Sequence, residues 1–124
     1  LSDTADKYGI YSINLVAPTS ADRVEMIAKE SKGFLYVVSS LGVTGTRQEI
    51  TTDFDTLLAP LKENSPVPYC IGFGISTPEQ AAKMSAYCDG VIVGSAIVNR
   101  IAENGRDSAQ AVGEFSHDLK SALK

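Results

Sequence analysis

Three short segments hold the residues best suited to chemistry: "SSLGVTG" at 39–45, "GFGIS" at 72–76 and "VGSAIV" at 93–98. Each is rich in glycine and each follows an apolar run. Glycine adopts positive φ without strain and lets a ligand approach bare backbone N–H groups, so such a loop serves either as a tight turn or as an anion cradle. A lone GxG reads as a turn, and Gly33 and Gly90, which precede apolar runs, are read that way. Three glycine loops at the ends of successive strands favour the cradle. The third loop adds a helix start at Gly94-Ser95, where unpaired N–H groups and the helix dipole both attract negative charge. A phosphate group fits that chemistry.

Side chains that could move protons are less well placed. Asp22, Glu25, Glu49, Asp53, Asp55 and Glu79 fall on helices, helix starts or a loop, and read as caps and solvated charges. Asp89 precedes a strand and so sits at the opposite edge from the glycine loops. His117, the only histidine, lies on the last helical pattern three residues after Glu114, a spacing that allows a weak pairing on a solvated face. Cys70 and Cys88 lack CxxC spacing and neighbouring histidines, so they read as buried reduced thiols, with no metal site.

Four runs of strand-forming residues carry these loops: Ser12 to Val16, Phe34 to Val38, Val67 to Ile71 and Gly90 to Val93. They are continuous rather than alternating, the pattern of a parallel sheet, which needs helical crossovers. Val24, Ile27 and Ala28 predict the first crossover helix, capped by Thr19 or Ser20. Phe54, Leu57, Leu58 and Leu61 predict the second, with Thr52 or Asp53 as cap and Pro60 expected to kink or shorten it. "STPEQAAKM" predicts a third, with Ser76 or Thr77 as cap, Pro78 in the first turn and Glu79 at capping-box spacing from Ser76. "GSAIVNRIAENG" is a short helix closed by Gly105. A last helix, capped by Asp107 or Ser108, carries Val112, Phe115, Leu119 and Ala122 on one stripe. Four βα units admit either a small open sheet with helices on both faces or half of an eight-stranded (β/α) barrel, which usually needs about 250 residues. Both place ligands at the C-terminal ends of the strands.

Length and composition bound the possibilities. The 124 residues suit a single α/β domain, and the hydrophobic and charged fractions of 44% and 21% predict a packed core. A net charge of −4 with scattered basic residues argues against nucleic acid. No apolar run approaches membrane-spanning length, and the first residues, "LSDTADKYGIY", have no secretory pattern, which points to the cytoplasm.

Taken in order, "INLVAPTSAD", "YVVSSLGVTGTR", "GFGISTPEQ" and "DGVIVGSAIV" resemble segments of the tryptophan synthase alpha chain. That family is a (β/α)8 TIM barrel lyase that cleaves indole-3-glycerol phosphate to indole and glyceraldehyde 3-phosphate in tryptophan biosynthesis. The resemblance implies that Gly45, Gly74, Gly94 and Ser95 hold the substrate phosphate and that Tyr36 and Phe73 line the indole pocket. It also implies that Thr44 anchors a mobile active-site loop running from Thr46 to Thr52. No cofactor is implied.

The same resemblance implies an absence. The family's glutamate and aspartate, which act as acid and base, lie on and just after its second strand and have no counterpart here. Residues 1–124 are therefore expected to be a single C-terminal half-barrel domain, inactive by itself. The family's partner is the tryptophan synthase beta chain. A half-barrel also leaves two sheet edges and one apolar face uncovered, so a homodimer is expected; the alternative readings are a non-catalytic phosphate-binding half-barrel that self-associates and a part of another phosphate-binding TIM-barrel enzyme.

Overall fold

The computed structural model describes residues 2–17, 20, 23–38, 54–72 and 74–123. The chain begins with helix α1 (Ser2–Lys7) and then alternates strand and helix: β1 (Asn14–Val16), α2 (Val24–Lys29), β2 (Leu35–Val38), α3 (Phe54–Asn64), β3 (Tyr69–Gly72), α4 (Pro78–Ser85) and β4 (Gly90–Ile92). Helix α5 (Ser95–Asn104), a 3-10 turn (Gly105–Asp107) and helix α6 (Ser108–Ala122) follow. All four expected strands form; the first three start later than the apolar runs, and β4 starts with its run at Gly90 but ends at Ile92. Pro68 lies just before β3, and its carbonyl accepts the Leu35 N–H at 2.9 Å.

The sheet settles the choice between the two architectures. Its strands are all parallel and run β1-β2-β3-β4 in chain order. An open sheet with helices on both faces reverses its strand order at a switch point, whereas same-handed crossovers advancing in one direction stack every helix on one face. The core agrees with the second arrangement. Val16, Leu35, Val37 and Ile71, all at 0% exposure, pack in one cluster with Val24 and Ala28 of α2, Leu58 and Leu61 of α3, Ala81 and Met84 of α4, and Phe115 and Leu119 of α6. By strand register the other face carries Leu15, Tyr36, Val38, Cys70, Gly72 and Ile92. Among the described residues none of the core-forming helices lies on it, and Leu15 is 58% exposed.

Several local expectations are corrected. Helix α3 continues through Pro60 to Asn64 instead of being shortened, because fully buried Leu58 and Leu61 flank the proline and hold both turns against the core. The N-cap of α2 is Arg23 and makes no side-chain cap bond; the Ser20 hydroxyl instead accepts the Ala17 N–H at 3.3 Å. Thr19, Asp22, Glu49, Thr52 and Asp53 lie outside the described residues. The side chain of Asp107, at the N-cap of α6, makes no cap bond either. Glu114 accepts from Gln110 at 2.9 Å rather than pairing with His117, whose exposed ring lies 3.5 Å from the Ser121 hydroxyl.

Gly90 is not a turn residue but the first residue of β4, and a Cβ there would lie 3.1 Å from the Cys70 sulfur. Both cysteines are free but only half-buried, not fully buried. Burial raises both thiols above the usual range, and Cys88 donates to the carbonyls of Met84 and Gly90. Among the described residues no group of three His, Cys, Asp or Glu is placed to hold a metal ion, and no helix is long and apolar enough to cross a membrane.

Candidate functional site

Parallel strands deliver their C-terminal ends to one edge of the sheet, and two of the glycine loops are described there. After β3, Gly74 is exposed at φ +89, a backbone angle that a side chain would strain. Buried Ile75 anchors the next residue, and α4 then starts on Thr77, whose hydroxyl accepts the Gln80 N–H at 3.3 Å, with Pro78 at the first helical position. Of the two caps considered, Thr77 is the one used. The return contact comes from Gln80, not Glu79: the side-chain Oε1 of Gln80 accepts the Ser76 N–H at 2.8 Å and the Ser76 hydroxyl at 3.1 Å.

Glu79 is fully exposed in the first turn of α4. Its own backbone N–H and then the Thr77 hydroxyl hold its carboxyl below the ordinary glutamate range. A depressed pKa in the folded state contributes stability that is present above the unfolded value and lost as pH falls through the folded one. Glu79→Gln is therefore expected to lower the thermal midpoint slightly at pH 7. That difference from the parent chain should vanish in acid, when thermal melts are compared from pH 7 downward. Thr77→Ala removes the cap itself and should cost about 1 kcal/mol in a urea titration.

After β4, Gly94 is the N-cap of α5 and Ser95 its first residue, both exposed. The Ile97 and Val98 N–H groups turn back to the Gly94 carbonyl at 2.9 and 3.1 Å. The N–H groups at the helix tip have no acceptor within the helix, so they and the dipole face outward from the strand end. The helix is held against α6 by Arg100, whose guanidinium sits 3.3 Å over the centre of the Phe115 ring while donating to the Ala96 carbonyl at 3.3 Å.

Tyr36 lies on the bare face, half-buried, beside this edge. Burial raises its phenol above the usual range. Its ring covers Gly72, the last residue of β3: a Cβ on Gly72 would come within 2.6 Å of Tyr36 Cζ and 3.0 Å of Cε1, and nearest of all to the hydroxyl. The bare backbone at Gly72 is what makes room for the hydroxyl end of the Tyr36 ring. Nothing in the sequence pattern marked that pairing. Gly74, Gly94, Ser95 and Tyr36 thus share one end of the sheet, while Thr44, Gly45, Phe73 and the 46–52 loop lie outside the described residues.

The described acids keep the structural roles expected of them. Glu25 pairs with Lys29 at 2.6 Å and Asp55 with Lys62 at 4.0 Å, both on exposed surface. Asp89 accepts the Tyr69 N–H at 2.9 Å and returns its own N–H to the Tyr69 carbonyl at 3.0 Å, which ties β3 to β4 at the opposite edge.

In-order parallel strands, helices on one face and glycine loops gathered at the strand ends define four βα units of a (β/α) barrel. The family model for the tryptophan synthase alpha chain matches residues 1–124, and the chain belongs to that family. It is 49% identical over 123 residues to the alpha chain of Thermoanaerobacter sp. (strain X514), a match covering 98% of this chain and 47% of that one. The alpha chain of Lacticaseibacillus casei is 47% identical over 96% of this chain and 45% of its own. Among solved structures, a chain of the tryptophan synthase a2b2 complex of Pyrococcus furiosus superposes with a TM-score of 0.80 at 33% identity, covering 97% of this chain and 49% of that one. The Legionella pneumophila alpha chain gives a TM-score of 0.77 at 36% identity, covering 98% and 45%. The chain therefore spans about half the length of the relatives it matches.

Proposed function

We propose that residues 1–124 form the C-terminal half-barrel of a tryptophan synthase alpha chain and hold the phosphate and indole ends of indole-3-glycerol phosphate without the groups that break it. The observation that carries this reading is the gathering of Gly74, Gly94 and Ser95 at one sheet end, with the Tyr36 ring on the adjoining bare face. Backbone N–H groups and the Ser95 hydroxyl suit a phosphate dianion, and a flat aromatic wall suits a bicyclic ring. Gly45 and Phe73 would complete the two subsites, with Thr44 as the anchor of the closing loop.

Cleavage needs a base to take the proton from the glycerol hydroxyl, so that its oxygen becomes the aldehyde of glyceraldehyde 3-phosphate, and an acid to protonate the indole carbon as the carbon-carbon bond breaks. Glu25, Asp55 and Asp89 are engaged elsewhere, and Glu79 is tied to its own helix start. The full-length enzyme would be a cytoplasmic carbon-carbon lyase that passes indole to the beta chain. Incubated alone with indole-3-glycerol phosphate, the chain is expected to release no indole above the uncatalysed rate. Turnover by the isolated chain would refute this division of labour.

The bare face supports a second reading, a self-associating half-barrel. Exposed Leu15 and half-buried Tyr36, Val38 and Ile92 present apolar surface, and among the described residues β1 and β4 are the outer strands of the sheet, each paired on one side. Sedimentation equilibrium distinguishes a homodimer from a monomer.

A further inference from the structure

We propose that Gln80 is a positioning residue for the anion loop after β3, fixing the direction of Gly74 without adding charge to the site. The inference rests on the phosphate reading of that loop.

The carboxamide oxygen of Gln80 takes both donors of Ser76, the N–H at 2.8 Å and the hydroxyl at 3.1 Å, while the Gln80 N–H goes to the Thr77 hydroxyl at 3.3 Å. Side chain and backbone of one residue thus lock residues 76 and 77 to the first turn of α4. Ile75, at 3% exposure, pins the position before them. Gly74 is left as the exposed residue of the loop, at φ +89, with its direction set by the three residues that follow.

Two consequences follow from the chemistry. The donors of Ser76 are spent on Gln80, so an anion at the strand end meets Gly74 rather than competing for Ser76. The acceptor is also neutral. Helix stability alone would be served as well by glutamate, because a carboxylate at the third helical position accepts the same bonds and favours the helix dipole. A carboxylate braced against this loop would repel a phosphate held there. Glu79 already supplies one negative charge to this turn, directed at its own backbone and Thr77.

The test is a titration of the ¹⁵N-labelled chain with inorganic phosphate, following the Gly74 amide, for the parent chain, Gln80→Met and Gln80→Glu. Gln80→Met removes the acceptor; it should speed hydrogen exchange at the Ser76 amide and weaken phosphate binding about fivefold. Gln80→Glu restores the acceptor; it should keep Ser76 protected and the thermal midpoint at or above that of the parent, yet also weaken phosphate about fivefold through charge. A purely structural role predicts that affinity follows the thermal midpoint and leaves Gln80→Glu unchanged. Phosphate affinity within about twofold of the parent in Gln80→Glu overturns the proposal, and that variant decides the matter even if Gln80→Met fails to fold. A parent chain whose Gly74 amide ignores phosphate removes the phosphate site itself, a different result from a parent that binds and variants that bind equally.

Discussion

Gly72→Val is expected to destabilise the chain by about 1–3 kcal/mol and to lift the Tyr36 ring off the sheet. The cause is local: a Cβ at position 72 would come within 2.6 Å of Tyr36 Cζ and 3.0 Å of Cε1, far inside van der Waals contact. The tyrosine is on the neighbouring strand, where Tyr36 pairs with Cys70 and Val38 with Gly72, so it cannot slide away without breaking register. It must rotate into the open space over the bare face. Tyr36→Ala in the same chain removes the clash and should recover most of the stability, whereas Tyr36→Phe leaves the clashing ring carbons and should recover little. Urea titrations of the two double variants separate these outcomes. If Gly72→Val alone melts like the parent chain, the contact between ring and glycine is not what shapes this face.

Leu58→Ala should have the larger effect on stability, about 2–5 kcal/mol, lowering the thermal midpoint by roughly 10 °C. Leu58 is at 0% exposure and Leu61 at 1%, and Pro60 lies between them. Proline removes one backbone donor and crowds the preceding turn, so the helix depends on these two leucines more than an uninterrupted helix would. The matched control is Met26→Ala on α2, where a side chain 54% exposed should cost no more than about 0.5 kcal/mol. Comparable losses at the two positions would mean that the helix layer, as described, does not carry the core.

The strands were legible because strands of a parallel sheet that are apolar on both faces read as continuous apolar runs; Leu35 to Val38 falls inside such a run, and β3 overlaps another from Tyr69 to Ile71 and extends it to Gly72. The α5 start at Gly94 and its end at Gly105, φ +56, were legible from glycine alone. What local rules missed was decided by partners distant in sequence. Pro60 reads as a breaker until the burial of Leu58 and Leu61 is known. Gly90 reads as a turn until Cys70, its register partner, is set against it. The contact of Tyr36 with Gly72 joins residues on two strands and depends on strand order, which no single segment encodes. At the candidate site the glycines of "GFGIS" and "VGSAIV" lie, as their place after apolar runs predicts, at the C-terminal ends of β3 and β4. The brace from Gln80 is legible when the capping-box spacing is counted from Thr77, one of the two caps the sequence offers, to Gln80 rather than from Ser76 to Glu79.

Stability measurements test how the sheet is built; its use as a phosphate cradle is tested by what it binds. The most direct measurement is a titration of the ¹⁵N-labelled chain with glycerol 3-phosphate, observed at every assigned amide. The Gly74, Gly94 and Ser95 resonances should move together with one dissociation constant, while Asp89 and Gly90 at the opposite edge stay still. Shifts that are absent from those three amides, or that are spread evenly over both edges of the sheet, would contradict the account.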